Sequence, residues 1–335
     1  MGEMRINKRG YPVAIGIFII AIVLAFTLKN DYYLVILCQI ACYYVAALGL
    51  NFITGLSGQS NMGAAGIFSV GAYASALISM KLGVSPFLAI IPVLGVGWLV
   101  GKLLGYPTLR LEGVYLALTS MLFAEVIRIA IMNTDFTGGA AGLKNIPNYY
   151  LFGYTLSSYR QMVVFYSVVA LFMSYLAYRI IRSRWGRSFV AIRDNVEAVE
   201  ACGIKVSALK ITAFTICCVF TCIGGAMYSH YTNYLSPASF NGLLSSSFVI
   251  MLIIGGFGTV SGAFAGAVFV ILLPELLRFV GTYYILVYVT IVLLCIFFLP
   301  GGIVPSIMRV KGRIKTKDLV NILFGTGKKG DGKIE

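Results

Sequence analysis

The sequence predicts an all-α polytopic membrane protein with about ten transmembrane helices. Of the 335 residues, 59% are hydrophobic and 11% are charged, and the mean hydropathy is +0.90. Soluble domains do not have this balance. The apolar residues form continuous runs, and a helix of about 20 residues crosses a hydrocarbon core of ~30 Å. A membrane barrel would instead show alternating segments of about 10 residues.

Ten apolar stretches are long enough for a crossing. They cover residues 12–28, 32–54, 64–80, 85–105, 113–132, 161–180, 208–230, 244–261, 263–281 and 283–300. The first stretch follows three basic residues, as in a signal peptide, but residues 27–30 are not a small-residue cleavage site. We interpret it as a signal anchor. The spans predict a transmembrane domain over 1–308 and a basic cytoplasmic tail over 309–335.

The basic residues predict the orientation of the chain. With ten crossings and a cytoplasmic N-terminus, 20 of the 26 Lys and Arg residues fall in the predicted inner segments 1–11, 102–112, 179–210 and 309–335. Cytoplasmic loops of membrane proteins carry this excess of positive charge. We therefore expect both termini in the cytoplasm. The net charge of +14 then reflects the basic cytoplasmic segments of a membrane protein and does not indicate nucleic-acid binding.

Two polar segments lie outside the predicted spans. The outer loop, 133–160, contains glycines, Pro147 and several aromatic residues, which fit an ordered cap or docking surface and equally fit a flexible loop. The inner segment, 181–207, predicts a short helix over about 195–202. We expect Asp194 to cap it, Glu197 to complete a capping box, and Gly203 to end it. Such a surface helix suits either a protein partner or anionic lipid.

Two glycine-rich patches interrupt the apolar sequence, at 55–66 and 255–266. Glycine permits close helix packing, and it also permits unwound backbone at membrane depth where protein or water surrounds it. In the first patch, the glycines stand with Ser57, Gln59 and Asn61, whose polar groups would be costly against lipid. This composition favours a broken or re-entrant segment that lines a pathway.

Two pairs of charged residues lie within or at the edge of predicted spans. Glu125 and Arg128 are three residues apart, and Glu275 and Arg278 repeat the spacing. Each pair is expected to form a local ion pair on one helix face. Intramembrane charges are candidates for function, and mutual neutralisation for helix packing is the alternative.

The sequence contains no recognisable motif for catalysis, metal binding or nucleotide binding. Cys218 and Cys222 share a helix face without a His or carboxylate nearby, so we interpret the seven cysteines as small apolar residues. The single histidine, His230, is interpreted as structural. Residues 327–334 resemble a phosphate-binding loop only loosely, because Ile334 replaces the Ser or Thr that would hold magnesium. We therefore expect neither an enzyme nor a metal or cofactor site.

The assembled motifs resemble LivM-type permeases of branched-chain amino acid ABC transporters. The resemblance runs through most of the chain, and each motif occurs in the family order. The matching segments are 47–51, 54–59, 71–73, 109–118, 137–143, 186–187, 191–195, 255–259 and 299–302. Ala64 stands where the family often has a histidine, and Val199 replaces the second alanine of the general permease loop Glu-Ala-Ala followed by Gly.

The resemblance implies the fold of a type II ABC importer permease with a cytoplasmic coupling helix. It also implies a LivH-like sister permease, two ATP-binding subunits and an extracytoplasmic solute-binding protein, in a bacterial or archaeal cell membrane. A urea or small-amide permease, and a carrier or channel acting alone, are the alternatives. Neutral hydrogen-bonding groups suit a zwitterionic solute, so we predict that Gln59 and Asn61 line the path, with Asn51 and Thr119 as further candidates.

Residues 186–203 are the predicted coupling segment, which would dock on an ATPase subunit. We expect Arg193 and Glu197 to offer charge to the partner, and Val196, Ala198 and Val199 to offer apolar contact. The full predicted set is Gly186, Arg187, Arg193, Asp194, Val196, Glu197, Ala198, Val199 and Gly203.

Overall fold

The all-α polytopic fold is confirmed by the computed structural model, which describes residues 30–111, 113–151, 154–156, 158–299 and 301–306. Within these residues, eight helical stretches are long and apolar enough to cross a membrane. The helices are α1 Asp31–Leu50, α2 Ala64–Lys81, α3 Pro86–Gly105, α4 Gly113–Met132, α5 Tyr159–Arg182, α6 Arg184–Asp194, α7 Val196–Ala201, α8 Val206–Thr232, α9 Gly242–Gly255, α10 Val260–Leu276 and α11 Tyr284–Phe298.

The eight stretches correspond to the second through ninth predicted spans. The tenth corresponds to α11, which is apolar but only 15 residues long. The first predicted span, 12–28, and the tail, 309–335, lie outside the described residues. Helices α6 and α7 belong to the predicted inner segment and are not spanning helices.

Helix α8 lies at the centre of the bundle, in contact with α1, α2 and α3. Small residues let the backbones of these helices approach each other closely. A Cβ atom at Gly225 would clash with the Phe68 carbonyl of α2, and one at Gly224 would lie 2.7 Å from the Cys42 carbonyl of α1. Because the backbones approach this closely, the core depends on van der Waals packing, as expected where lipid removes the hydrophobic driving force. Close packing is therefore one use of glycine in this chain.

Two spans were predicted with the wrong boundary. The sequence predicts helices over 244–261 and 263–281, whereas α9 ends at Gly255 and α10 begins at Val260. Gly256 has φ +111°, which ends the helix, and Thr259 caps α10 by accepting a hydrogen bond from the amide of Gly262 at 3.0 Å. The apolar run continues through this break, so hydropathy alone does not show it.

The outer loop is ordered by pairing with the end of α8. Strand β1, Leu143–Lys144, pairs antiparallel with β4, Tyr234–Leu235, and β2, Tyr150–Leu151, pairs with β3, Tyr154–Thr155. His230 contacts the Pro147 carbonyl through Nδ1 and Ser75 Oγ through Nε2, both at 2.8 Å. These contacts support the structural role predicted for His230, and they favour an ordered cap over a flexible loop.

Candidate translocation and coupling sites

The first glycine patch is a break between α1 and α2. Helix α1 continues as a π-helical turn over Asn51–Leu56, and residues 57–63 are non-helical. Ser57 donates to the Ile53 carbonyl at 2.8 Å, and Gln59 Nε2 donates to Ser57 Oγ at 2.9 Å. Gln59 is 8% exposed, and its Oε1 atom is buried without a hydrogen-bond partner. A buried acceptor left in this state is costly unless a ligand or water reaches it.

The start of α2 lies inside the bundle and is held by serines of two other helices. The amide of Met62 donates to Ser120 Oγ of α4 at 2.9 Å, and the amide of Ala65 donates to Ser245 Oγ of α9 at 3.0 Å. Asn61 accepts from the amide of Gly63 at 2.7 Å, while its own Nδ2 is buried without a partner. The break therefore holds an orphan acceptor, on Gln59, and an orphan donor, on Asn61.

The two glycine patches meet through Asn51. Its Oδ1 accepts from the amide of Gly258 at 2.8 Å, and its Nδ2 donates to the Thr259 carbonyl at 3.2 Å. A Cβ atom at Gly55 would clash with this carboxamide. Both functional groups of Asn51 are thus engaged by the second break. Its side chain joins the two breaks and does not present an unpaired group as Gln59 and Asn61 do.

Thr119 occupies a different place from the other predicted path residues. It is exposed on α4, whereas its neighbour Ser120 is 5% exposed and holds the start of α2. Within this chain, Thr119 is therefore not on the buried side of α4 that contacts the break. Sequence reasoning missed Ser120 and Ser245, because a lone serine in an apolar helix carries no pattern that identifies its partner.

The predicted coupling segment forms two helices joined at a sharp bend. Ser183 caps α6 by accepting from the amide of Trp185, and Asn195 caps α7 by accepting from the amide of Ala198 at 2.9 Å. The predicted Asp194 cap is therefore wrong by one residue, and Glu197 is exposed without the predicted capping-box bond to that residue. Asp194 is instead the last residue of α6.

Gly203 ends α7 as the sequence predicts. It has φ +76°, its amide donates to the Glu200 carbonyl at 2.9 Å, and the Ile204 amide donates to the Val199 carbonyl at 3.4 Å. This pair of bonds is a Schellman motif, which requires a left-handed residue.

The coupling segment has one buried and one exposed side. Gly186, Phe189, Ile192 and Val199 are buried against the bundle, and a Cβ at Gly186 would clash with the end of α5. Val199 therefore anchors α7, so it is not available for the partner contact that we expected. Ala198 is exposed and Val196 half-buried. Other exposed side chains of this segment include those of Arg187, Asp194, Glu197 and Glu200, and Arg184 and Trp185 are exposed just before it.

Arg193 links the coupling segment to the first break. Its Nη1 donates to the carbonyl of Gly55 at 2.8 Å, within the π-helical turn. Its aliphatic stem covers Gly58, where an added Cβ would lie 2.9 Å from Cγ of Arg193. Gly58 also has φ +71°, which favours glycine. A displacement of α6 would thus reach the break through one side chain.

Both predicted ion pairs form. Arg128 Nε donates to the two carboxylate oxygens of Glu125 at 3.1 and 3.0 Å. Arg278 lies 4.0 Å from the Glu275 carboxylate. Tyr32 of α1 bridges this second pair, because its hydroxyl donates to Glu275 and accepts from Arg278 Nη1 at 3.0 Å. The second pair therefore joins α1 to the end of α10, which supports the packing role.

The outer cap has an aromatic core. Tyr149 is fully buried, with its ring 5.0 Å from Phe87, 4.8 Å from Phe165 and 4.8 Å from His230 between centroids. Burial raises the pKa of the Tyr149 phenol well above its ordinary value, so the group stays neutral. The cap is thus fixed on α3, α5 and α8 by apolar contacts.

The model of the family described as branched-chain amino acid transport system / permease component matches residues 32–299. The chain belongs to this family. The matched range includes both glycine patches, the coupling segment and the outer cap, so the features described above lie in the family domain. As a permease component, the chain is a multi-pass membrane protein and a transport subunit.

Named relatives agree with the family. The high-affinity branched-chain amino acid transport system permease protein LivM of Salmonella typhimurium is 32% identical over 288 residues, which cover 78% of this chain and 68% of that protein. LivM of Escherichia coli is 31% identical over the same extent. The probable LivM of Methanocaldococcus jannaschii is 25% identical over 325 residues, or 81% of this chain and 92% of that protein.

A more limited similarity is found to a permease with a different named solute. The autoinducer 2 import system permease protein LsrC of Yersinia pestis is 27% identical over 97 residues, 28% of each chain. No solved structure matches the chain.

Proposed function

We propose that this chain is the permease subunit of an ABC importer and forms the path for branched-chain or related small amphipathic amino acids. The observation that carries the proposal is the pair of buried carboxamides at the first break, Gln59 and Asn61, each with one unpaired polar atom. A zwitterion passing the break would meet one acceptor and one donor, both neutral. Neutral groups bind such a solute weakly, which suits transient passage.

Asn51 and Thr119 complete the proposed path in different ways. Asn51 fixes the shape of the break through Gly258 and Thr259. Thr119 is exposed on α4 beside large exposed apolar residues such as Leu118 and Leu122. An apolar helix face of this kind suits a sister permease of the LivH type, against which Thr119 would face the path between the two subunits.

Energy for transport would come from two separate ATP-binding subunits. The coupling segment, residues 186–203, presents charged side chains on its exposed side and is anchored to the bundle by buried ones. A nucleotide-driven movement of an ATPase would displace α6 and α7 together and reach the Gly55 carbonyl through Arg193. An external solute-binding protein would deliver solute at the ordered outer cap. The complex would lie in a bacterial or archaeal cell membrane.

The proposal predicts that the two carboxamides determine the transport rate. The complete complex is reconstituted in proteoliposomes with its binding protein, and ATP-dependent uptake of labelled leucine, urea and a sugar-like solute is measured. We expect uptake of leucine alone, and a loss of about tenfold in Gln59→Ala and Asn61→Ala, since a lost buried hydrogen bond costs about 1–2 kcal/mol. Asn133→Ala, at an exposed asparagine at the end of α4, is the matched control.

Unchanged leucine uptake in both variants would show that the break serves helix packing and does not line the path. Uptake of urea in place of leucine would keep the mechanism and change the solute. Uptake without ATP or partner subunits would instead identify a carrier acting alone.

A further inference from the structure

One exposed stripe of α5 changes from apolar to basic along its length. Its members are spaced three or four residues apart, so they share one side of the helix. In chain order they are Val168, Phe172, Tyr175, Arg179 and Arg182, all of them exposed. Two apolar side chains are followed by an aromatic one and then by two arginines. A phospholipid has the same order of polarity, from acyl chain through the interface to the head group.

The length of this stripe fits one leaflet of a bilayer. Val168 and Arg182 lie within the same continuous helix, and their separation along it is about 21 Å at ~1.5 Å per residue. Half of a hydrocarbon core of ~30 Å is about 15 Å, and the head-group region adds roughly 5–7 Å. An acyl chain beside Val168 would therefore bring its head group to the level of the two arginines.

The start of α6 adds two arginines to the basic end of the stripe. Gly186 packs directly on the end of α5, because an added Cβ would clash with the Ile181 carbonyl. Nη1 of Arg187 donates to the Arg182 carbonyl at 3.1 Å, which holds this side chain at the junction of α5 and α6. Four exposed arginines thus surround the junction, namely Arg179, Arg182, Arg184 and Arg187.

The contacts of these four arginines are with neutral groups. Residues 159–193 contain no Asp or Glu, and none of the four is paired with a carboxylate in the described part of the chain. Arg182 and Arg184 lie 4.6 and 5.7 Å from the ring centroids of Tyr178 and Trp185. A guanidinium has five N–H donors, so a ring contact or one hydrogen bond leaves donors for a phosphate group.

A lipid explains the whole stripe, whereas an ATPase explains only its basic end. A soluble ATPase docked on the coupling segment does not reach Phe172, which lies more than two turns inside α5. The aromatic residues at the level of the arginines, Tyr175 and Trp185, are 41% and 40% exposed. Exposed aromatic rings of this kind are enriched where a spanning helix meets the head groups. Clusters of four or more basic residues at this level bind anionic lipids.

We propose that this stripe of α5, together with Arg184 and Arg187 of α6, binds one anionic phospholipid of the surrounding leaflet. The phosphate group lies among the arginines, and an acyl chain lies on Phe172 and Val168. Because arginines of both helices hold the head group, the bound lipid joins α6 to α5 and keeps the start of the coupling segment at the membrane surface. The inference does not depend on which solute is transported.

A label at the apolar end of the stripe tests the site. Val168→Cys is placed in a Cys202→Ser background, which removes the exposed native cysteine, and is labelled with bimane in the complete complex. The complex is reconstituted in phosphatidylcholine nanodiscs that contain a small fraction of brominated phosphatidylglycerol or brominated phosphatidylcholine. The same complex without the new cysteine gives the background. We expect several-fold stronger quenching by phosphatidylglycerol, and equal quenching by the two probes overturns the proposal.

The arginines are tested in the same assay. We expect the double variant Arg182→Gln/Arg187→Gln to lower the preference for phosphatidylglycerol at least threefold, and the corresponding double lysine variant to keep most of it. Arg160→Gln is the matched control, because it removes an exposed arginine at the other end of the same helix. No fall in the double glutamine variant, or an equal fall in Arg160→Gln, overturns the site.

A second position tests the site with all arginines intact. Leu293 is exposed on α11, a helix without a basic residue. Bimane at Leu293→Cys in the same background should be quenched equally by the two brominated lipids. A preference for phosphatidylglycerol as strong at position 293 as at position 168 would show a general attraction of the anionic lipid to the complex, and would overturn the site even where the arginine variants fail to assemble.

A protein partner for the arginines would give a different result. Loss of the ATPase subunits from the double glutamine variant, with an unchanged lipid preference, would assign these arginines to ATPase docking and overturn the lipid site. A complex that keeps the preference and imports no leucine would reject the proposed function and keep the lipid site. Leucine import without the preference would do the reverse.

Discussion

At the scale of single residues, the carboxamide of Asn51 connects the two breaks by hydrogen bonds. It satisfies the half-buried amide of Gly258 and the carbonyl of Thr259, which lie in the non-helical break between α9 and α10. Asn51→Ala would leave both groups unpaired at a cost of about 1–3 kcal/mol. We expect a fall of several degrees in the thermal unfolding midpoint of the purified complex, measured by intrinsic fluorescence.

Asn133→Ala is the control for this loss of stability, because it removes an asparagine that does not connect the two breaks. Its Nδ2 donates only to the Ile129 carbonyl one turn earlier, at an exposed site. The unfolding midpoint should stay within about 1 °C of the wild type, since exposed substitutions cost little. A midpoint for Asn51→Ala equal to that of Asn133→Ala would contradict the role of Asn51 as a link.

Single residues also show how far the sequence predicts the site. Polar residues in an apolar patch identify Asn51, Gln59 and Asn61 as unusual, because lipid would not tolerate them. The partners of Asn51 are more than 200 residues away in the chain, and no local pattern identifies them. The cap of α7 was misplaced because Asp194 and Asn195 are both good capping residues. The burial of Phe189 and Ile192 on α6 keeps Asp194 in the preceding helix.

At the scale of elements, the end of α7 determines how firmly the coupling segment is held. A Cβ at Gly203 would meet no atom within 4 Å, so a substitution there is opposed by φ +76° alone. Gly203→Ala should cost about 1 kcal/mol, Gly203→Asn less, and Gly203→Val more. We expect solute imported per ATP hydrolysed to fall in the order Asn, Ala, Val.

Gly95→Ala is the matched control for glycine replacement. Gly95 lies within α3, has no atom within 4 Å of an added Cβ, and does not have a positive φ. Its replacement should leave the coupling ratio unchanged. If Gly203→Asn lost as much coupling as Gly203→Val, a side-chain clash with the partner, and not the helix end, would limit coupling.

Element boundaries were predicted where hydropathy falls and missed where it does not. Helices α2 to α5 and α8 begin and end near charged residues, prolines or loops, so their bounds follow the sequence closely. The break between α9 and α10 lies in an apolar run of glycine, phenylalanine and valine. The cluster Gly255-Gly256-Phe257-Gly258-Thr259 is the signal that marks it, since glycine at positive φ followed by a capping threonine ends one helix and begins another.

At the scale of the whole molecule, the segments that connect the helices lie on two opposite faces, as their contacts show. The outer cap, the α2–α3 connection and the residues after α8 meet on one face, as the bonds of Tyr150 to Gly83 and of His230 to Pro147 show. The two breaks, the start of α4 and the coupling segment meet on the other. This is the sorting that alternate crossings require. From the positive-inside pattern we expect the second face to lie in the cytoplasm.

Two residues on these opposite faces test the assignment with one reagent. All seven cysteines lie in the described part of the chain, and Cys202 is the exposed one. It lies at the end of α7, on the face that carries Arg184, Arg187 and Arg193. Lys144 is exposed on β1 of the outer cap. A membrane-impermeant maleimide applied to intact cells should therefore label Lys144→Cys in a Cys202→Ser background, and should leave the wild type unlabelled.

Inverted vesicles should reverse the result, with Cys202 labelled and a cysteine at position 144 protected. The expectation has a quantitative basis. A juxtamembrane Lys or Arg near an anionic leaflet contributes about 1 kcal/mol, and the predicted inner segments hold 20 Lys and Arg residues in all, against four in the outer ones. Labelling of position 144 only from the cytoplasmic side would show that the molecule has the opposite orientation to the predicted one. The exposed side of α6 and α7 would then lie out of reach of any cytoplasmic ATPase.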